Sequence, residues 1–162
     1  MNIKPRISLV LCSLALGVIS LGADPASVML KTVKRGNDAW IKAGRSLDSR
    51  LIQPYFAEDA FQALEGTLAS ARQHGVYMDL DLVHVYYRNM RLGQDHRSGS
   101  VDVSEFWRIT WRRISTNDCQ VVLKPLERRQ TYFLKATDQG WRIVRIVEDP
   151  NSRRIEKESC TS

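Results

Sequence analysis

Four polar side chains interrupt otherwise apolar strand faces in the C-terminal half of this 162-residue chain: His84, Glu105, Tyr132 and Arg145. A few charged or hydrogen-bonding groups set among apolar walls is the usual composition of a small-ligand pocket. Inward charges are costly unless they are paired or close to solvent. Arg145, with Tyr132 and either Glu105 or His84, is therefore a candidate ligand-holding set. The plain structural alternative is that Arg145 and Glu105 sit at the rim of a sheet, or pair with each other, since long side chains reach solvent readily. Trp107 and Trp111 flank Ile109 on the same face as Glu105 and serve either as a stacking platform or as core.

Other chemistry finds little support. His74, His84 and His96 have no ligand-type partner three or four residues away, and the cysteines lack a CxxC spacing, so no metal is expected. No glycine-rich phosphate loop occurs, and no cofactor is expected. Arg108, Arg112 and Arg142 fall on the opposite, outward face and form a candidate interaction surface. Few aromatic residues accompany them there, which argues against single-stranded nucleic acid. A basic surface that docks a protein partner fits better.

The elements that must position these groups follow from periodicity. Gln130–Glu148 reads as a β-hairpin, with two alternating runs flanking Thr137-Asp138-Gln139-Gly140 and glycine supplying a positive φ. A loop over Thr137–Gly140 sets Ala136 opposite Trp141, Leu134 opposite Ile143 and Tyr132 opposite Arg145. That register gathers the apolar residues on one face, and a slip of one residue would scatter them. From Val76, Leu80, Leu82, His84 and Tyr86 alternate with polar neighbours. Val101, Val103, Glu105, Trp107, Ile109 and Trp111 form a second such face. Val121–Leu123 is a short strand that Pro125 confines to an edge.

Ahead of the strands lie two helical regions. Asp24-Pro25 is a cap followed by a first-turn proline, and Met29, Val33, Trp40 and Ile41 recur at helical spacing. Gly36-Asn37 weakens the middle of that helix, and Gly44 is its expected stop. A second region runs from Asp48 to Gly75, broken or kinked at Pro54. Helices first and tightly connected strands afterwards give an α+β architecture, with N-terminal helices packed in the concave face of a curved antiparallel sheet.

Lys4 and Arg6 precede the apolar run Ile7–Leu21, which ends in Gly22-Ala23. A basic start, a run of that length and small residues at its end describe an export signal. The expected organisation is a signal peptide over 1–23, a domain over 24–149 and a charged tail over 150–162. The location is then periplasmic, lumenal or extracellular, with membrane contact only where the signal is retained as an anchor. Loss of the signal removes two basic residues and no acidic one, lowering the formal charge of +6 to +4. Cys119 and Cys160 remain, an even pair that an oxidising compartment can bridge or leave as two free thiols.

Three segments together resemble a known family. Asp48–Gly75 resembles the helix, small-residue loop and polar-faced continuation of the IMS-type domain in plastid-division proteins and their cyanobacterial relatives. Val76–Val85 resembles the strand that follows, and Gln130–Ile146 resembles the closing hairpin with its Gly-Trp-Arg-Ile. That domain belongs to the NTF2-like superfamily, so the resemblance implies a cone in which helices pack into a strongly bent sheet. It also implies where a pocket would open. Enzymes of that superfamily use a pocket carboxylate as proton acceptor, a role Glu105 or Asp102 would fill here. The expectation is an exported, non-catalytic binding or protein-interaction module, with a small-ligand carrier or pocket enzyme as the alternative. A cavity reaching Glu105 or Arg145 would favour the alternative; a filled cone would favour docking through the outer sheet.

Overall fold

The computed structural model describes residues 24–152, 157–158 and 160. The expected signal segment lies outside them. Helix α1 spans Pro25–Ser46, with the Asp24 carboxylate accepting from the amides of Ala26 and Ser27 and Leu47 closing it in the left-handed region. It runs straight through Gly36-Asn37 and past Gly44, contrary to the expected weak point and stop. The reason is packing, since both glycines lie on the buried stripe with Met29, Val33 and Ala43. A Cβ on Gly36 would come within 3.1 Å of Ile143 Cδ1 and Phe56 Cζ, and one on Gly44 within 2.7 Å of Leu80 Cδ1. Their lack of a side chain lets the helix press against the sheet, which outweighs poor helix propensity.

Pro54 separates a single 3-10 turn at Ser49–Leu51 from helix α2, Glu58–Gln73, so the second region is broken as expected. Tyr55 and Ala57 exchange 2.8 Å backbone hydrogen bonds with Ile143, which fastens this connection along the edge of the last long strand.

Four long antiparallel strands follow in the spatial order β1-β2-β3-β4, with β1 at Val76–Leu92, β2 at Ser98–Arg113, β3 at Cys119–Thr137 and β4 at Gly140–Glu148. The sheet is curved and unclosed, and both helices pack against one face. Met29, Val33, Phe56, Leu68, Val101, Leu134 and Ile143 are buried between the layers. Trp107 is buried, while Trp111 and Trp141 are half-buried against the same core.

Two details depart from the expected strands. Pro125 does not end a short strand but lies within the 19-residue β3, on the edge stretch that β4 leaves uncovered. The register with β2 slips there, from Ile109–Leu123 to Trp107–Leu126, so the missing amide falls at an irregularity. The tail is also more than a charged end. Past β4, Asp149 N donates to Arg129 O and Ser152 Oγ bonds both backbone groups of Arg129. A fifth strand, β5 at Lys157–Glu158, pairs with Val122 and Leu123, and the Cα atoms of Cys160 and Cys119 are 5.9 Å apart, within disulfide range.

Candidate functional site

The hairpin closes as expected at its tip. Thr137 pairs with Gly140 across a turn at Asp138-Gln139, Gly140 has φ 102°, and Ala136–Trp141 and Leu134–Ile143 face each other. Beyond Ile143 the register shifts. Val144 is an extra residue on β4, so Phe133 faces Arg145 and Tyr132 faces Ile146. A bulge on one strand reverses the phase of that strand alone. Tyr132 stays inside, Ile146 takes the inward place, and Arg145 turns out to stack over the Phe133 ring at 4.4 Å.

His84 is moved in the same way. β1 slips between Leu82–Trp107 and His84–Phe106, with Val83 the extra residue. Val85 and Tyr87 then face inward, while His84 is exposed beside Tyr86, whose ring meets Phe106 edge-on at 6.0 Å. His84 and Arg145 therefore do not share a site with Glu105. Arg145 lines a separate open groove of about 470 Å³ with Arg91, Lys135 and Phe133.

Glu105 and Tyr132 remain together, fully inside, and the structure surrounds them with partners. Glu105 is 0% exposed. Its Oε1 accepts from Asn37 Nδ2 at 2.6 Å; its Oε2 accepts from Gln130 Nε2 at 2.7 Å and Trp107 Nε1 at 2.9 Å. The Tyr132 hydroxyl is 3.0 and 3.2 Å from the two carboxylate oxygens and 3.1 Å from Asn37 Oδ1, and it accepts from Gln130 Nε2 at 2.7 Å. Burial, and then the charge of Glu105, hold the Tyr132 hydroxyl well above the usual tyrosine range, so it is a firm proton donor. Tyr87 is raised by the same two causes, burial first.

Asn37 and Gln130 were not singled out in the sequence. The available signal was position: Asn37 falls four residues after Val33 on the apolar stripe of α1, and Gln130 precedes Tyr132 by two on the inward face of β3. A polar side chain at a core position must find a partner, and both of these amides donate to the Glu105 carboxylate.

This network lies directly behind one wall of a cavity of about 390 Å³ between the helices and the bend of the sheet. Trp40, Phe56, Trp107 and Trp111 supply aromatic walls, with Leu64, Met78 and Leu80 beside them. The exposed residues Ala63 and Thr67 of α2 mark the mouth, together with Arg128 and Glu148, which pair at 3.2 Å. The cone is not filled.

Arg108 and Arg112 lie on the outer face, 3.7 Å from Asp81 and Asp79. Arg142 does not join them. It reaches round the edge of β4 and donates to the backbone carbonyls of Gln53 and Phe56, since the Tyr55–Ala57 connection brings acceptors to that edge. Asp102 lies outside the cone and accepts from Thr131, Asn89 and Arg91. Among the described residues no cluster of His, Cys, Asp and Glu could hold a metal, and no helix is long and apolar enough to cross a membrane.

No protein-family profile and no curated protein sequence matches the chain. Solved structures do. The intermembrane-space region of the chloroplast protein ARC6 superposes with a TM-score of 0.67 at 12% identity, over 78% of this chain and 98% of that one. A conserved protein from Planctomyces limnophilus gives 0.50 at 10% identity, over 76% of this chain and 99% of that one. Likeness at such identities concerns shape alone. In shape, the chain is an α+β cone like that of the ARC6 intermembrane-space region.

Proposed function

We propose that this is an exported, non-catalytic binding domain whose cone receives a small, largely apolar ligand. The observation that carries the reading is the aromatic-walled cavity of about 390 Å³ with the Glu105 network directly behind its wall, a volume within the range of small-molecule sites. The occupancy of the carboxylates supports a binding role over a catalytic one. Glu105 accepts from four donors and Asp102 from three, so neither offers a free basic oxygen to a substrate proton. Export is supported by the leader-like segment Ile7–Leu21 and by two cysteines at bridging distance, a pairing that persists in oxidising compartments.

N-phenyl-1-naphthylamine, a neutral apolar fluorophore, tests the reading. Residues 24–162 should bind it saturably with energy transfer from the cavity tryptophans. Ala63→Trp, a bulky change at the exposed mouth, should abolish binding without altering the melting temperature. No saturable signal, or full binding by the Ala63→Trp variant, overturns the proposal.

A second reading, protein docking through the outer sheet, rests on Tyr86, which is 57% exposed beside Phe106. Tyr86→Ser with Arg108→Ser should then abolish capture of the native partner while leaving the naphthylamine signal intact. Unchanged capture would remove this reading.

A further inference from the structure

We propose that the ligand of the cone is an organic cation: a quaternary or tertiary ammonium group carried on an apolar body. The inference rests on the reading of the cone as a ligand site and adds the ligand's charge.

The first ground is an uncompensated charge. Three N–H donors and a tyrosine hydroxyl converge on Glu105, which is the donor set of an ionised carboxylate. All four donors are neutral, and among the described residues no salt bridge reaches Glu105. Arg128 faces Glu105 across the strand pair, yet its guanidinium goes to Glu148 at the mouth. The lining residues thus carry two carboxylates against one guanidinium. Neutral hydrogen bonds satisfy the lone pairs of a buried carboxylate but leave its field in place, and that field extends into a cavity of low polarity.

The second ground is the nature of the walls. Trp40 and Trp111 are half-buried at the cavity surface, with Phe56 and Trp107 packed into the wall behind them. Aromatic faces carry negative potential, so they attract a cation without needing a hydrogen bond from it, and tryptophan does so most strongly. An alkylated ammonium group has few or no N–H donors to satisfy and loses little on leaving water. The same field repels carboxylates and phosphates. A neutral hydrocarbon would use the walls but gain nothing from Glu105.

The probes are phenyltrimethylammonium, its neutral carbon isostere tert-butylbenzene, and benzoate, each titrated into residues 24–162 and followed by tryptophan fluorescence and calorimetry. The cation should bind about 10-fold or more tightly than the isostere, and benzoate should be weakest. Trp111→Leu, at a half-buried wall position, should weaken the cation by several-fold and leave tert-butylbenzene nearly unchanged. Glu105→Gln, with its fold checked by circular dichroism, should erase the preference; if that variant does not fold, Trp111→Leu decides. Equal or tighter binding of tert-butylbenzene, or a preference for benzoate, overturns the cation inference and leaves the ligand site standing. Failure of all three probes and of N-phenyl-1-naphthylamine overturns both.

Discussion

Asn37→Ala probes the buried network directly. The amide donates at 2.6 Å to a carboxylate with no exposure, and its carbonyl lies 3.1 Å from the Tyr132 hydroxyl. Loss of a hydrogen bond to a charged acceptor, in a place water does not reach, costs about 1.5–3 kcal/mol. For a domain of this size each kcal/mol corresponds to roughly 4 °C in melting temperature, so a fall of about 6–12 °C is expected. The comparison is Asn89→Ala, which removes an exposed 3.3 Å contact to Asp102 and should cost under about 0.5 kcal/mol. Urea and thermal unfolding of residues 24–162, followed by tryptophan fluorescence, measure both. Asn37→Asp sharpens the test by placing a second carboxylate against Glu105. Two adjacent buried carboxylates repel, and one shared proton relieves that repulsion, so that variant should regain stability as pH falls and lose it as pH rises. An Asn37→Ala variant no weaker than Asn89→Ala would refute the claim that Glu105 depends on these donors.

Three further outcomes follow from the geometry. Tyr132 titrates above its unfolded value near pH 10, so stability should be full below about pH 10 and decline as pH rises toward the folded value; Tyr132→Phe should reduce that alkaline slope in unfolding titrations and leave the smaller part that Tyr87 contributes. Deleting Val144 removes the bulge and leaves Arg145 opposite Phe133 and Ile146 opposite Tyr132, so the cost should stay at about 1.5–3 kcal/mol, that of one lost buried side chain; failure of the deletion variant to fold would contradict the register. Cys160→Ser opens a link across 41 residues, for which the chain-entropy relation gives about 4 kcal/mol; denaturation in the presence and absence of reductant should reveal most of that difference in the parent and none in the variant.

Periodicity served well wherever the strands are regular. Glu105, Trp107 and Tyr132 lie on β2 and β3, whose alternation holds through the site, and they face inward as read from the sequence. His84 and Arg145 lie just past bulges on the outer strands, and each was read on the wrong face for one reason: Val83 and Val144 are ordinary β-branched residues that fit a strand or a bulge equally. Only the partner's register distinguishes the two, and that is a long-range property. Asn37 was hidden differently. Beside Gly36 it looked like a flaw in a helix, because a local scale penalises both residues, whereas the sheet needs the glycine's thinness and the carboxylate needs the amide.

The course of the tail along β3 has its own consequence. β4 covers β3 only from Gln130 onward, so the stretch from Cys119 to Arg129 would otherwise present bare amides and carbonyls, with Val121, Val122 and Leu123 among its side chains. An uncovered rim of that kind recruits a strand from another copy. With Ser152 bonded to Arg129, Lys157–Glu158 paired to Val122 and Leu123, and Cys160 beside Cys119, that rim is held at three points against a neighbouring molecule's strand. A thiol reductant would then act first on solubility, and clumping at concentrations where the oxidised chain stays monomeric would be its earliest sign.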